Sequence, residues 1–282
     1  MKNILFATDF SREAYCALYY ATELFKDEEC KFFISNFFGD RRDTSIYNIV
    51  NEEDHTLLSR LKTQSLQGCK EVMHKIVRDS SAKTHHFETF TSDQTLVNAI
   101  PAVVLKKNID LVVMGTRGHS GIIDNFLGSN TSDVIEKSIS CPLLVVPKER
   151  DYIAPEKLAF ATEFRKPYSA DVLRPFTELA KSFNSSIYII YIGEEEELSK
   201  KQIENRNNLK KLLKGIETHL IYLSSDEEIS KTISDYIKNK GIHLLSMVYY
   251  KHQFFDTIFR EPVVKKIDHH LAFPFLILPE KN

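Results

Sequence analysis

The sequence predicts an α/β protein built from two tandem, doubly wound parallel-sheet domains, and three observations predict it. Short apolar runs alternate with amphipathic stretches along the chain, the pattern of strands joined by helical crossovers. The length of 282 residues suits two domains of about 140 each. Three anchors also recur in the same order. FATDF at 6–10 returns as FATEF at 160–164, IDLVVM at 109–114 as IHLLSM at 242–247, and CPLLVVP at 141–147 as FPFLILP at 273–279. Such self-similarity marks a duplication, with domains at 1–148 and 155–282 on either side of a short charged linker.

Taken in order, NILFAT at 3–8 is apolar enough for a central strand covered on both faces. Ser11 can cap the helix that follows, Glu13 suits its first turn, and Ala14, Ala17, Leu18, Ala21 and Leu24 form its apolar stripe. Residues 31–37 are the second strand. Residues 52–77 read as one long helix with apolar points at Leu57, Leu58, Leu61, Leu66, Met73 and Ile76, and Gly68 is placed to kink it. Residues 84–90 are the third strand. His85 and His86 alternate across it, so they face opposite ways and cannot chelate one metal together. Thr91 and Gln94 have capping-box spacing for a helix carrying Leu96, Val97, Ile100, Val103, Val104 and Leu105. Pro101 should bend that helix or mark its true start. Residues 111–114 are the fourth strand, 131–140 the next helix and 141–146 the fifth strand, closed by Pro147.

Hydrophobic residues make up 43% of the chain and charged residues 27%, with a net charge of −2, so neither a nucleic-acid surface nor a membrane surface is indicated. The acidic runs at 194–197 and 226–228 suit helix N-terminal turns. No apolar run is long enough to span a bilayer. The opening MKNILFATDF enters a strand at once and does not read as a signal peptide. The four cysteines (Cys16, Cys30, Cys69 and Cys141) form no Cys-x2-Cys pair. Buried free thiols in a reducing cytoplasm are expected, with no metal site.

The chemistry concentrates after the fourth strand. Gly115, Gly118 and Gly128 followed by Ser129 give the spacing Gly-x2-Gly-x9-Gly-Ser, and Asn130 and Thr131 then lead into a helix. Glycine permits close backbone approach, and a helix start offers N–H groups and hydroxyls that suit phosphate. The sequence has neither Gly-x4-Gly-Lys-Ser/Thr nor an early Gly-x-Gly-x-x-Gly, which removes the P-loop and dinucleotide readings. This spacing resembles the nucleotide signature of the universal stress protein (UspA-like) family in its ATP-binding branch. The resemblance implies five strands per domain in the order 3-2-1-4-5. The first and fourth strands are then neighbours, and a ligand crevice opens at their C-terminal ends. It implies ATP as the ligand, with Mg2+ carried on the phosphates. Asp9 would lie by the ribose and phosphates and Asn36 by the adenine, Gly115 and Gly118 would let the backbone pass close to the ribose and phosphates, and Met114 would belong to the same site. Gly128, Ser129 and Asn130 would hold the terminal phosphates, with Arg117 and His119 flanking.

The second copy differs where that chemistry would lie. VYYKHQFFDTIFREPVVKKI at 248–267 has no counterpart of the three glycines or of Ser129, and Glu163 replaces the aspartate. This copy is therefore not expected to bind ATP, and Tyr249, Tyr250, Phe254 and Phe255 are expected to seal the former pocket, with cover for a domain contact as the alternative. The resemblance further implies pairing of the two domains through their fifth strands, a homodimer of tandem chains, and a protein partner the sequence does not name. No catalytic residue is assigned. Asp9 is the one general base in reach and Arg117 the one cation near the phosphates, so at most slow ATP hydrolysis is expected. The expectation is an ATP-dependent stress-response regulator or sensor, with a slow ATPase or a nucleotide-free scaffold as rivals.

Overall fold

The structure, a computed structural model, describes residues 1–39, 54–116, 129–138, 140–147, 152–224, 229–250 and 273–280. The chain divides into two compact units, Met1–Tyr152 and Ile153–Asn282. The first contains β1 (Lys2–Ala7), α1 (Arg12–Leu24), β2 (Cys30–Phe37), α2 (Asp54–Asp79), β3 (His86–Ser92), α3 (Leu96–Lys107), β4 (Leu111–Gly115), α4 (Ser129–Ser138) and β5 (Leu143–Val146). Its strands pair in parallel in the order β3-β2-β1-β4-β5. Helix α1 packs with α2, and α3 with α4, so two helical layers flank the sheet.

The second unit repeats the plan with β6 (Lys157–Ala161), α5 (Ala170–Ser182), β7 (Ser186–Ile192), α6 (Lys200–Leu212), β8 (Thr218–Leu223), α7 (Ile229–Lys240), β9 (Leu244–Tyr249) and β10 (Phe275–Pro279). Its parallel order is β8-β7-β6-β9-β10, again 3-2-1-4-5 when counted within the unit. The ladders align the two copies residue by residue. Phe6 faces Val113 across β1 and β4, and Phe160 faces Ser246 across β6 and β9. Gly115 faces Val146, and Val248 faces Leu278. Those are the equivalences the sequence anchors give, so the duplication extends to strand register.

Local chemistry explains most boundaries. Ser11 caps α1 by accepting from the Ala14 N–H, and Ala14, Ala17, Leu18, Ala21 and Leu24 are all buried. Four features differ from the sequence expectation. The third strand starts at His86, two residues late, so His85 lies outside it and its ring packs on Phe32 and Phe87. The cap of α3 is Thr95, which accepts from Asn98, whereas Thr91 belongs to β3. That helix starts at Leu96, so Pro101 lies inside it and does not mark its start. The Glu run at 194–197 forms a 3-10 turn ahead of α6, which is capped instead by Ser199 with Gln202 in a capping box. The acids at 226–228 lie outside the described residues.

Helix α2 runs unbroken through Gly68. A Cβ at Gly68 would meet three ring carbons of Phe10 at 2.7–3.0 Å, so the glycine makes room for that ring. The buried positions of α2 include Ser65, Cys69 and Ile76, while Leu57 is exposed. A polar residue on the inner face was invisible to a count of apolar points. It is satisfied there because Ser65 Oγ donates to Asn36 Oδ1 at 2.8 Å and also bonds Thr91 Oγ1.

Candidate functional site at the strand ends

The C-terminal ends of β1 and β4 lie side by side, because those strands are sheet neighbours in register. Past β1 the chain makes a tight turn. The Phe10 N–H donates to Thr8 Oγ1 at 2.9 Å, and Ser11 donates to Asp9 Oδ1 from its N–H at 3.0 Å and from its hydroxyl at 2.5 Å. These bonds from residue i+2 back to residue i are side-chain turns of the kind Thr and Asp make best. They hold Asp9, which is partly exposed, at the mouth of the switch point.

Gly115 is the last residue of β4. A Cβ there would stand 3.0 Å from Glu13 O and 3.2 Å from Ala14 N, the backbone of the first turn of α1. Gly115 therefore lets α1 sit directly against the end of β4. The next residue, Thr116, is buried and donates its N–H to Val146 O at 3.1 Å. On the far side of the loop, α4 begins at Ser129. The Thr131 hydroxyl donates to Gly115 O at 3.3 Å, so the first turn of α4 is tied back to the strand that feeds the loop.

Asp9, Gly115 and the start of α4 are thus gathered at one end of the sheet. Asn130 is exposed in the first turn of α4. Asn36 and Met114 are placed differently. The Asn36 side chain is buried, donating to Thr8 O at 2.6 Å and accepting from Ser65 Oγ, so its amide braces the Asp9 turn. Met114 is buried within β4 and its side chain belongs to the core. Arg117, Gly118, His119 and Gly128 lie outside the described residues. Sequence reasoning missed Thr8, Thr131 and Ser65. Hydroxyl residues are common, and only the folded chain shows which carbonyl or amide each one meets.

The matching place in the second unit is closed. The turn after β6 carries four extra residues: Ser11 follows Phe10 directly, but Ser169 follows Phe164 only after RKPY at 165–168. Val248 occupies the Gly115 position, so α5 cannot approach as α1 does. Tyr168 from the longer turn fills the gap, packs edge-on against Phe160 and bonds its hydroxyl to Thr162 Oγ1. Tyr250 stands beside it, with Lys166 Nζ 4.6 Å from the ring centre and 2.7 Å from Glu280. The space left among Phe160, Thr162, Glu163, Tyr168, Val248 and Tyr250 is about 20 Å³, scarcely one water. Burial raises the carboxyl pKa of Glu163, an effect that the Arg165 guanidinium beside it partly offsets. Tyr249 is buried in β9, and Phe254 and Phe255 lie outside the described residues. Tyr168 lines this space together with Tyr250, and comes from the turn after β6, where the sequence singled out no sealing residue.

Comparison with known proteins fits this architecture. A sequence model described as the universal stress protein family matches residues 1–147. The chain belongs to the universal stress protein family. A universal stress protein of Staphylococcus haemolyticus is 30% identical over 173 residues, which is 60% of this chain and 98% of that protein. A Staphylococcus aureus relative is 27% identical over 168 residues, covering 59% of this chain and 96% of its own. A solved universal stress protein from Archaeoglobus fulgidus superposes with a TM-score of 0.68 at 16% identity, over 99% of this chain and 98% of that one, and so shares the fold. The cytoplasmic domain of a prokaryotic cation chloride cotransporter has a similar fold, with a TM-score of 0.54 at 10% identity over 100% of this chain and 97% of its own. Among the described residues no helix is long and apolar enough to cross a membrane, and no group of three or more metal-ligating side chains occurs.

Proposed function

We propose that this universal stress protein binds one ATP per chain, in the first unit, and works in the cytoplasm as a nucleotide-dependent regulator or sensor. The observation that carries this reading is the Gly-x2-Gly-x9-Gly-Ser segment joining β4 to α4 at the end of the sheet that also holds Asp9. A helix start tied back to the strand by Thr131 offers N–H groups to a phosphate chain without having to be ordered first. Asp9 would meet a ribose hydroxyl, and Mg2+ would ride on the phosphates with water as most of its shell. Met114 and Asn36 would contribute through backbone atoms, since their side chains serve the core and the Asp9 turn.

The plugged crevice of the second unit supports a stoichiometry of one and a different role for that copy, such as presenting a surface to a protein partner. The protein would be purified without added nucleotide, its bound small molecules released with acid and identified by mass spectrometry, and ATP binding measured by calorimetry. A Gly118→Val, Gly128→Val double variant would run alongside. About one adenine nucleotide per chain, lost in the variant, is the expected result. Two per chain would overturn the reading of the second unit. None, with no heat on ATP addition, would leave the nucleotide-free scaffold as the better account.

A further inference from the structure

The turn that carries Asp9 is held from behind. Phe10 has a φ of 68°, in the left-handed region that residues with a Cβ seldom adopt. Its ring rests on α2 at Gly68, where an added Cβ would come within 2.7 Å of a ring carbon. Glycine is a poor residue for the middle of a helix, and the Phe10 ring is the physical reason for it here. The second unit keeps the turn but changes its support. Phe164 has a φ of 54° and donates to Thr162 Oγ1 at 2.9 Å, as Phe10 does to Thr8. There α6, the counterpart of α2, supplies side-chain amides: Gln202 Nε2 donates to Glu163 O and Asn205 Nδ2 to Phe164 O, while the Phe164 ring stacks on Tyr191. A strained turn is thus retained in both copies, and in the first copy the seat of the Phe10 ring on Gly68 joins the Asn36 amide in supporting it.

We propose that Phe10, seated on Gly68, is the positioning residue that aims Asp9 into the nucleotide crevice, so that α2 sets the affinity of the site without touching the ligand. This rests on the nucleotide reading above. A groove of about 750 Å³, with Phe10, Tyr15, Gly68, Val72 and Lys75 among its walls, opens beside the ring. A methyl at position 68 can therefore push the ring aside without unfolding the chain.

The test is Gly68→Ala, alone and combined with Asp9→Asn. Alanine favours the helix, so the melting temperature should hold or rise. ATP affinity measured by calorimetry should fall about tenfold, the size of one charge-assisted hydrogen bond weakened. In the Asp9→Asn background the same change should cost nothing further, because the group being aimed is gone. In the nucleotide-free protein, the NMR signals of the Asp9 carboxyl carbon and the Phe10 amide should shift in Gly68→Ala. Equal losses in both backgrounds would overturn the proposal, as would unchanged Asp9 and Phe10 signals. If the wild-type protein binds no ATP, the nucleotide reading falls by itself. The NMR comparison then still decides whether Gly68 sets the turn.

Discussion

Replacing Gly115 with valine tests the clearest packing contrast between the two units. Position 115 lies against the backbone of Glu13 and Ala14, with only 3.0–3.2 Å to spare for a Cβ. Backbone in the first turn of a capped helix cannot rotate away as a side-chain tip can, so α1 must move as a body. Overpacking of this kind costs about 1–3 kcal/mol. Taking about 2 kcal/mol, and about 2–4 °C per kcal/mol for a unit of this size, Gly115→Val should melt about 4–8 °C below wild type. The second unit shows how the fold accommodates valine at this place, since Val248 is accompanied by four extra residues in the preceding turn. Inserting RKPY between Phe10 and Ser11 of the Gly115→Val variant should therefore recover most of the loss. Thermal unfolding followed by circular dichroism, for the wild type, the variant and the variant with the insertion, measures both effects. A variant that melts with the wild type would show that α1 is not held against β4 by the missing side chain. A loss that the insertion leaves untouched would show that the longer turn has another purpose.

Other outcomes follow from the same contacts. Tyr168→Ala removes a buried aromatic ring and its bond to Thr162, and should destabilise the second unit by about 3 kcal/mol in urea unfolding. It should not raise ATP stoichiometry above that of the wild type in calorimetry, because Val248 still occupies the glycine position. Asn36→Leu leaves the Thr8 carbonyl without its amide donor and the Ser65 hydroxyl with Thr91 alone, and should cost about 2 kcal/mol by the same measurement. Burial of the His85 ring between Phe32 and Phe87 lowers its pKa below the ordinary 6.5, while its Nε2 bonds Thr22 O. The unfolded chain then binds the proton more readily, so this contribution to stability is complete above about pH 6.5 and fades as pH falls through the folded value. His85→Gln should flatten that fall between pH 7.5 and 5.5, and parallel curves for the two proteins would refute it. Burial pushes the Cys69 and Cys141 thiols up to about 12, so both should resist a thiol reagent at pH 8 until the protein is denatured.

Residue order by itself determined the architecture. Strand and helix periods differ enough to be read directly, and three repeated anchors made the duplication visible before any contact was known. The glycine spacing located the candidate site, and the bulky second copy of that stretch marked it as altered. Tertiary structure alone decided what individual residues do, because a side chain's role depends on partners distant in sequence. Gly68, read as a kink, is a seat for a ring 58 positions earlier. Asn36, whose backbone the resemblance sets by adenine, spends its side-chain amide on Thr8 and Ser65, which the sequence did not show. Ser65 sits on the inner face of α2, a face that counting apolar residues had assigned to leucines. Tyr168 closes the second crevice from a turn whose extra length has no meaning until β9 is seen to carry valine beside it. Periodicity is a property of neighbours along the chain and survives in the sequence. Packing and hydrogen-bond pairing join residues dozens of positions apart, and they exist only once the sheet has set those residues side by side.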